Sequence, residues 1–411
     1  MACHKPYYLY IYNMKCRLIL LILLFPSVIF SQPFYGDTIW AKDYSSTGAF
    51  SCAFSPDGSR LAVAYECMGP MVRIIDVYNG HVMWESETPD LCLYNIQFSS
   101  NGQYIAVAEE LGHLVVIDMT IPDTAYNIDT QTGGLNGVDF SNDGNFIYAG
   151  GNDGSIRIFE TETGMLHHSI PNAHNDAVLS VDVSAFGNYL VTGSKDNTIK
   201  VWDLNNSYQL MHTFTHAMDD IKSVKFYPAE NRILAGSADD MLYVYNMPAG
   251  DLDTMLMFHT GDVNTVDISA DATFAVAGAN DQSISMFSLY DYSLMETFTN
   301  ALQTRVYGVA ISPDMTKLAA ANHIGFVLMY DIHSLVGMEE NSTIHFSIYP
   351  NPVTEQINIS GLTKQEKYSI TDLNGSITQK GNTTSIIQVD QLPAGVYILE
   401  IGGKKEKFVK E

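Results

Sequence analysis

The chain has 411 residues, 46% of them apolar, and carries 46 Asp and Glu against 21 Lys and Arg, a formal net charge of −25. The length exceeds one ordinary small core, and the apolar fraction excludes an acidic disordered chain. The acidic excess repels phosphate backbones and argues against nucleic acid as a partner.

Residues 1–31 read as a targeting segment. Lys5, Lys15 and Arg17 form the basic flank before LILLILLFPSVIF, residues 18–30. That run is too short for a membrane span, is broken by Pro26, and is followed by small and polar residues, as in a secretory signal. Cleavage after Ser31 leaves Gln32 first and no transmembrane segment in the mature chain. Met14 offers a second start, since MKCR and the apolar run already make a complete signal. No cysteine closely follows the apolar core, which argues against a lipid anchor.

From Asp37 onward the chain repeats. Ile75-Asp76, Ile117-Asp118, Phe159-Glu160, Trp202-Asp203, Tyr245-Asn246, Phe287-Ser288 and Tyr330-Asp331 are spaced 42, 42, 43, 43, 42 and 43 residues apart. Each copy begins with an alternating apolar run: CAF, NIQF, GVDF, SVDV, SVKF, TVDI and GVAI. Each run then meets a turn: SPDG, SSNG, SNDG, SAFG, YPAE, SADA and SPDM. Period-2 alternation with a turn every eight to twelve residues predicts an antiparallel meander. Six residues before the anchor, four copies carry Asp153, Asp196, Asp239 or Asp281; the first, second and seventh carry Gly69, Leu111 and Ile324 instead.

This pattern resembles the WD-repeat family of β-propellers, whose repeats run about 40–45 residues with four strands per blade. The resemblance covers roughly residues 37–335 and implies seven blades, although one copy alone has the literal Trp-Asp. The seventh copy has no outer strand after YDIHSLVG, whereas DTIWAKDY, residues 37–44, precedes the first copy and reads as one. The expected ring is therefore closed by its own N-terminal strand, which removes two exposed sheet edges.

The resemblance implies a structural tetrad of His174, Thr192, Asp196 and Trp202 in the fourth copy. A buried indole N–H needs an acceptor, the threonine hydroxyl supplies one, and the histidine links that hydroxyl to the carboxylate. His216 with Asp239 and Tyr245, and His259 with Asp281, read as partial versions. For the first, second and seventh copies two readings stand, drift or a specialised face. Three cysteines, Cys52, Cys67 and Cys92, remain after signal removal. Either all three are buried thiols, or Cys67 and Cys92, whose loops the resemblance places on one face, form a disulfide and leave Cys52 free.

No motif for chemistry appears: there is no G-x-S-x-G, H-E-x-x-H, phosphate loop or G-x-G-x-x-G. DFSNDG, residues 139–144, imitates a calcium loop, but Gly150 stands where the twelfth-position acid belongs, so it reads as a turn. No catalytic residue, cofactor or metal ligand is assigned. The acid is concentrated in residues 32–337, with 37 acidic and 11 basic side chains, against 9 and 7 in 338–411.

After a polar linker at 338–345, residues 346–411 alternate again, in the pattern of a small immunoglobulin-like β-sandwich. Tyr349-Pro350-Asn351-Pro352, the turn Asp372 to Gly375 with Asn374, and LPAGVY with Pro393, Gly395 and Tyr397 fall in order before a basic end. These motifs resemble the type A C-terminal sorting domain of the type IX secretion system. The resemblance implies a Bacteroidetes lineage, contact with that secretion machinery, removal of the tail, and release or attachment at the cell surface.

The expected architecture is all-β, a seven-bladed propeller over 32–337 followed by the sandwich. The expected function is an exported, non-enzymatic scaffold binding a protein or surface glycan through the face that holds His174 and Asp196. The alternative is a lactonase-like or sugar-cleaving propeller with a metal in its channel.

Overall fold

The computed structural model describes residues 37–44, 48–65, 72–86, 92–121, 123–299, 304–335, 347–349, 352–360, 366–372, 377–383, 385–401 and 404–410. Ser31, Gln32, Cys67, Pro350, Asn351, Asn374, Gly375 and the linker lie outside them. Every regular element among the described residues is a β-strand.

Six four-stranded antiparallel sheets follow in chain order, each a meander of strands a to d. They run over Ala49–Glu85, Leu93–Asp129, Leu135–Ile170, Val178–Phe214, Ile221–Leu256 and Val263–Thr299. The seventh takes strands a to c from Val306–Ile311, Lys317–Asn322 and Phe326–Asp331, and its outer strand from Asp37–Asp43. That strand runs antiparallel to Phe326–Asp331, with Asp37 opposite Asp331 and Asp43 opposite Phe326. Each innermost strand neighbours the next, and Val306–Ile311 returns to Ala49–Phe54, so the sheets form a closed ring of blades.

Both faces of each blade are apolar, so the protein has no single central core. Among the described residues the ring has seven cores, each between two neighbouring blades. The seam between blades seven and one shows the pattern: Trp40, Val327 and Met329 meet Leu61, Val63 and Ile75. Trp40 also donates its indole N–H to the Val77 carbonyl at 2.8 Å, and Lys42 donates to the carbonyls of Asn79 and Gly80 at 2.7 and 2.8 Å. Gly80 has φ +67°, and a Cβ there would lie 2.9 Å from the Trp40 ring, so glycine is required for both reasons.

The a–b turns need a left-handed fourth residue. Gly58, Gly102, Gly144 and Gly187 supply it, but Glu230, Ala272 and Met315 take the same conformation with φ of 55°, 57° and 59°. In these three blades the surrounding sheet overrides local preference, at a cost of about 1–2 kcal/mol per residue.

The tail packs two sheets around Ile357, Ile370, Leu399 and Phe408. One orders Ser347–Tyr349, Gln356–Ser360 and Ile386–Gln388. The other orders Ile377–Thr383, Glu366–Asp372, Gly395–Ile401 and Lys404–Lys410. Asp372 closes its strand, Pro352 is exposed, and buried Tyr397 donates its hydroxyl to the Pro393 carbonyl at 3.0 Å.

If the seam at Trp40 carries ring closure, Trp40→Ala lowers unfolding free energy by about 3–5 kcal/mol. Denaturant titration of the full chain measures this, and a loss under about 1 kcal/mol, the scale of an ordinary surface change, contradicts it.

Candidate binding face and the residues behind it

In blade four the loop before strand a brings His174 beneath Thr192, on strand b, and Asp196, in the b–c turn. His174 Nδ1 lies 3.1 Å from Asp196 Oδ2, and a carboxylate only accepts, so Nδ1 carries the proton. Nε2 therefore accepts from Thr192 Oγ1 at 2.8 Å, and Thr192 Oγ1 in turn accepts from Trp202 Nε1 at 3.1 Å. The chain of donors runs indole, hydroxyl, imidazole, carboxylate, and joins the loop to strands b and c. Asp196 also takes the backbone N–H groups of Asn175 and Thr198. Burial alone would raise its carboxyl, but hydrogen bonds from Thr198, Asn175 and His174 hold it below the usual carboxylate range. Thr192 is sealed, with 0% exposure, and His174 is 3% exposed. A nucleophile there would have no access to substrate, so these residues staple strands.

Blade six builds the same link differently. His259 reaches Asp281 at 3.1 Å, but its Nε2 meets Ser285 Oγ at 2.8 Å. Ser285 faces Ala277 across the b–c pair, so the hydroxyl comes from strand c because strand b lacks one. Phe287 then packs with no donor role.

Blade five corrects the expectation for His216. His174 and His259 precede their aspartates by 22 residues, and at that spacing before Asp239 stands Ala217. One residue out of phase, His216 is exposed and its ring lies 5.6 Å from that of Tyr245. Asp239 instead accepts the Tyr243 hydroxyl at 2.7 Å and the Met218 N–H at 2.7 Å. Tyr245 is fully buried, and its hydroxyl has no partner among the described residues.

Cys92 is disulfide-bonded, and Cys52 is a buried free thiol. Burial pushes the Cys52 thiol far above its usual range, which leaves it unreactive.

The innermost strands line the channel, and each is the inner edge of its sheet. In blades three to seven, N–H groups of this edge are satisfied by side chains of the preceding blade. Asp139 accepts from Val183 N at 2.8 Å, Asp182 from Phe226 N at 2.7 Å, and Asp267 from Ile311 N at 2.7 Å. Ser180, Ser223 and Thr265 accept from Val224, Val266 and Val309 in the same way. At Lys225 the series changes sign. Its ammonium donates to Asp182 at 2.7 Å. Burial alone would lower it, yet the carboxylates of Asp182, Asp139 and Asp267 hold it above the ordinary lysine range. Asp139 is pushed up to about 6, by burial first and by Asp182 second. Among the described residues no group of three or more His, Cys, Asp or Glu side chains is placed to hold a metal.

Above this lining lies the feature that the sequence reading missed. In all seven blades the a–b register slips at the second residue of strand a. A bulge leaves one residue unpaired and re-aims its side chain. The bulged residues are Phe50, Tyr94, Asn136, Leu179, Lys222, Asn264 and Tyr307, and together they ring a mouth of about 380 Å³. Asn152 and Lys195, in b–c turns, complete it, so the mouth opens on the face that carries the tetrad turns. Phe50 stacks on Tyr307 at 5.0 Å and meets the Tyr94 edge at 6.0 Å, and the exposed His323 lies edge-on to Tyr307 at 5.5 Å. Asn136 and Asn264 are committed to structure, each donating to the carbonyl that starts the next blade, Val178 or Val306. The signal was present as one variable residue recurring every 42–44 positions, but a single polar or aromatic residue inside an apolar strand looks like an ordinary outward position.

Seven four-stranded blades, closed through an N-terminal strand and stapled by the His174 network, define a WD-repeat β-propeller. Residues 124–160, 166–203, 208–246 and 251–288 match the WD domain, G-beta repeat, and residues 347–411 match the secretion system C-terminal sorting domain. The chain thus carries four WD repeats between residues 124 and 288 and a type IX sorting tail, and that tail directs it through the secretion machinery to the cell surface or medium.

Two outcomes test the His174 network. Thr192→Val leaves His174 Nε2 and the Trp202 indole N–H without their partner and lowers stability by about 1–3 kcal/mol for each group, read by denaturant titration; an unchanged midpoint contradicts the network. Second, burial pulls His174 from 6.5 down to about 4 against the support of Asp196. Between those values the unfolded chain binds the extra proton, so this contribution is present above pH 6.5 and lost as pH falls through 4. Asp139 acts oppositely, its contribution fading as pH rises from 3.8 to about 6. His174→Gln should therefore remove a stability term that increases with pH in that window. Identical slopes for parent and variant contradict the assignment.

Proposed function

We propose that the chain is an exported, non-enzymatic scaffold that binds a segment of another surface protein at the channel mouth. The observation that carries this reading is the set of bulges. Seven interruptions of regular pairing present variable side chains to one opening, with aromatic rings on one side and Lys195 and Lys222 across from them. Aromatic and cationic groups together suit a peptide segment with apolar and acidic side chains.

The aromatic side belongs to blades seven, one and two, the three without the turn aspartate. In blades two and seven, strand b ends in fully buried Glu109 and Asn322, each with one polar atom unpartnered among the described residues. Blades four and five place Ser194 and Ser237 there, both bonded. An unpartnered buried polar atom costs about 1–3 kcal/mol, a cost that fits a sector selected for its surface over its stapling.

A scaffold without catalysis is supported by the commitment of His174 and His259 to sealed networks and by the use of Asp139, Asp182 and Asp267 as acceptors for backbone N–H groups. The test is retention of components from the producing cell's surface fraction by immobilised full chain and by Phe50→Ala/Tyr307→Ala, with matched thermal midpoints. A protein retained by the parent and lost by the variant is expected. Equal retention contradicts the mouth as the site, and one tightly held divalent ion per chain in purified protein contradicts the non-enzymatic reading.

A further inference from the structure

The a–b and c–d turns lie on the face opposite the mouth, because strands alternate direction within each blade. There, between blades three and four, is a cavity of about 330 Å³, a size at the small end of ligand pockets. Its walls carry the rings of Phe146, Tyr148, Phe186 and Tyr208. Its polar rim holds Asn142 and Asp143 from one turn and Asn205 from another.

Three observations mark it as built. Tyr148 is 4% exposed and lines the cavity, with Tyr208 and Asp143 near its hydroxyl. Phe186 is 70% exposed on a turn that is held rigidly: buried Glu230 accepts from Phe186 N at 2.6 Å and from Asn188 Nδ2 at 2.8 Å. The other rings are held from behind, His168 stacking on Tyr208 at 4.4 Å and His167 lying against Phe146 at 4.6 Å. A large exposed aromatic on a fixed turn, over a tyrosine hydroxyl and a carboxylate that line one cavity, is a preorganised binding arrangement.

The chemistry selects the occupant. An apolar side chain would match the rings but would offer nothing to the Tyr148 hydroxyl. An anion would meet Asp143, which hydrogen bonds from Ser141 and Asn145 hold ionised, and a propeller with 37 acidic and 11 basic residues. A neutral sugar ring has apolar C–H faces for the aromatic walls and hydroxyls for the Tyr148 and Tyr208 phenols, the Asp143 carboxylate and the Asn142 amide. We infer that this pocket binds a neutral pyranose of a glycan, through Phe186 and Tyr208 against its faces and Tyr148 and Asp143 on its hydroxyls. The site is separate from the channel mouth and does not depend on the reading given to it.

The test titrates full chain with the methyl glycosides of glucose, galactose, mannose and N-acetylglucosamine, up to about 10 mM, a range that covers weak single-sugar binding. Saturation-transfer NMR reports contact, and calorimetry reports affinity. At least one glycoside is expected to bind. Phe186→Ala, a surface change, and Tyr148→Phe, which removes one atom, are each expected to weaken it by about fivefold or more at unchanged thermal midpoint. Phe50→Ala, at the mouth, is expected to leave it unaltered. Absence of binding by all four glycosides, binding that survives both pocket substitutions, or binding lost with Phe50→Ala overturns the inference.

Discussion

One seam decides whether this ring exists. A blade is apolar on both faces, so every blade must be covered twice, and in a row of seven the first and last would each be left with a bare face. The outer strand Asp37–Asp43 answers this by pairing with Phe326–Asp331 while Trp40 packs into blade one. Covalent order and spatial order are thus offset by one strand, and the closing contact is made by ordinary sheet pairing and one buried indole. The same offset explains why the family matches begin in the outer strand of a preceding blade, as 124–160 does.

A closed ring creates a second problem at its centre. Seven inner strands converge edge-on, each the unpaired edge of its sheet. Side chains supply the missing acceptors, and this is why aspartate, serine and threonine recur in otherwise apolar strands. Where neighbours come nearest, no side chain fits: a Cβ on Gly137 would lie 2.9 Å from Ser180 Cα. The bulge one residue earlier releases the strand from pairing at the channel rim. Structure and binding surface are therefore made by adjacent residues of one strand, the third and fifth holding the ring and the second facing outward.

Divergence among the blades follows the same division of labour. Blades four and six hold complete hydrogen-bonded networks, and the hydroxyl in each comes from whichever strand has one, Thr192 or Ser285. Blades seven, one and two lack the aspartate and carry the aromatic residues of the mouth. Stapling is redundant in a ring with seven interblade cores, so a sector can lose it while its neighbours keep the geometry.

Much of this was legible in one dimension. A period of 42 or 43 residues fixes the number of blades, because each blade must repeat the same strand lengths and turns to pack against identical neighbours. The His174 network was legible for the same reason, since its members keep set distances along a regular meander. His216 shows the limit: a histidine near the right place reads as a partner, but a strand turns its face with each residue, and one step sends the ring to solvent. The ordered tail motifs, too, stand in the sequence, because an export signal must be readable before or apart from the rest of the fold. What only the tertiary structure decided is what lies between blades. The channel acceptors, the ringed mouth and the pocket of Tyr148 and Phe186 join residues of neighbouring blades, whose meeting depends on ring curvature and bulge placement, and neither is encoded in the pattern of any single repeat.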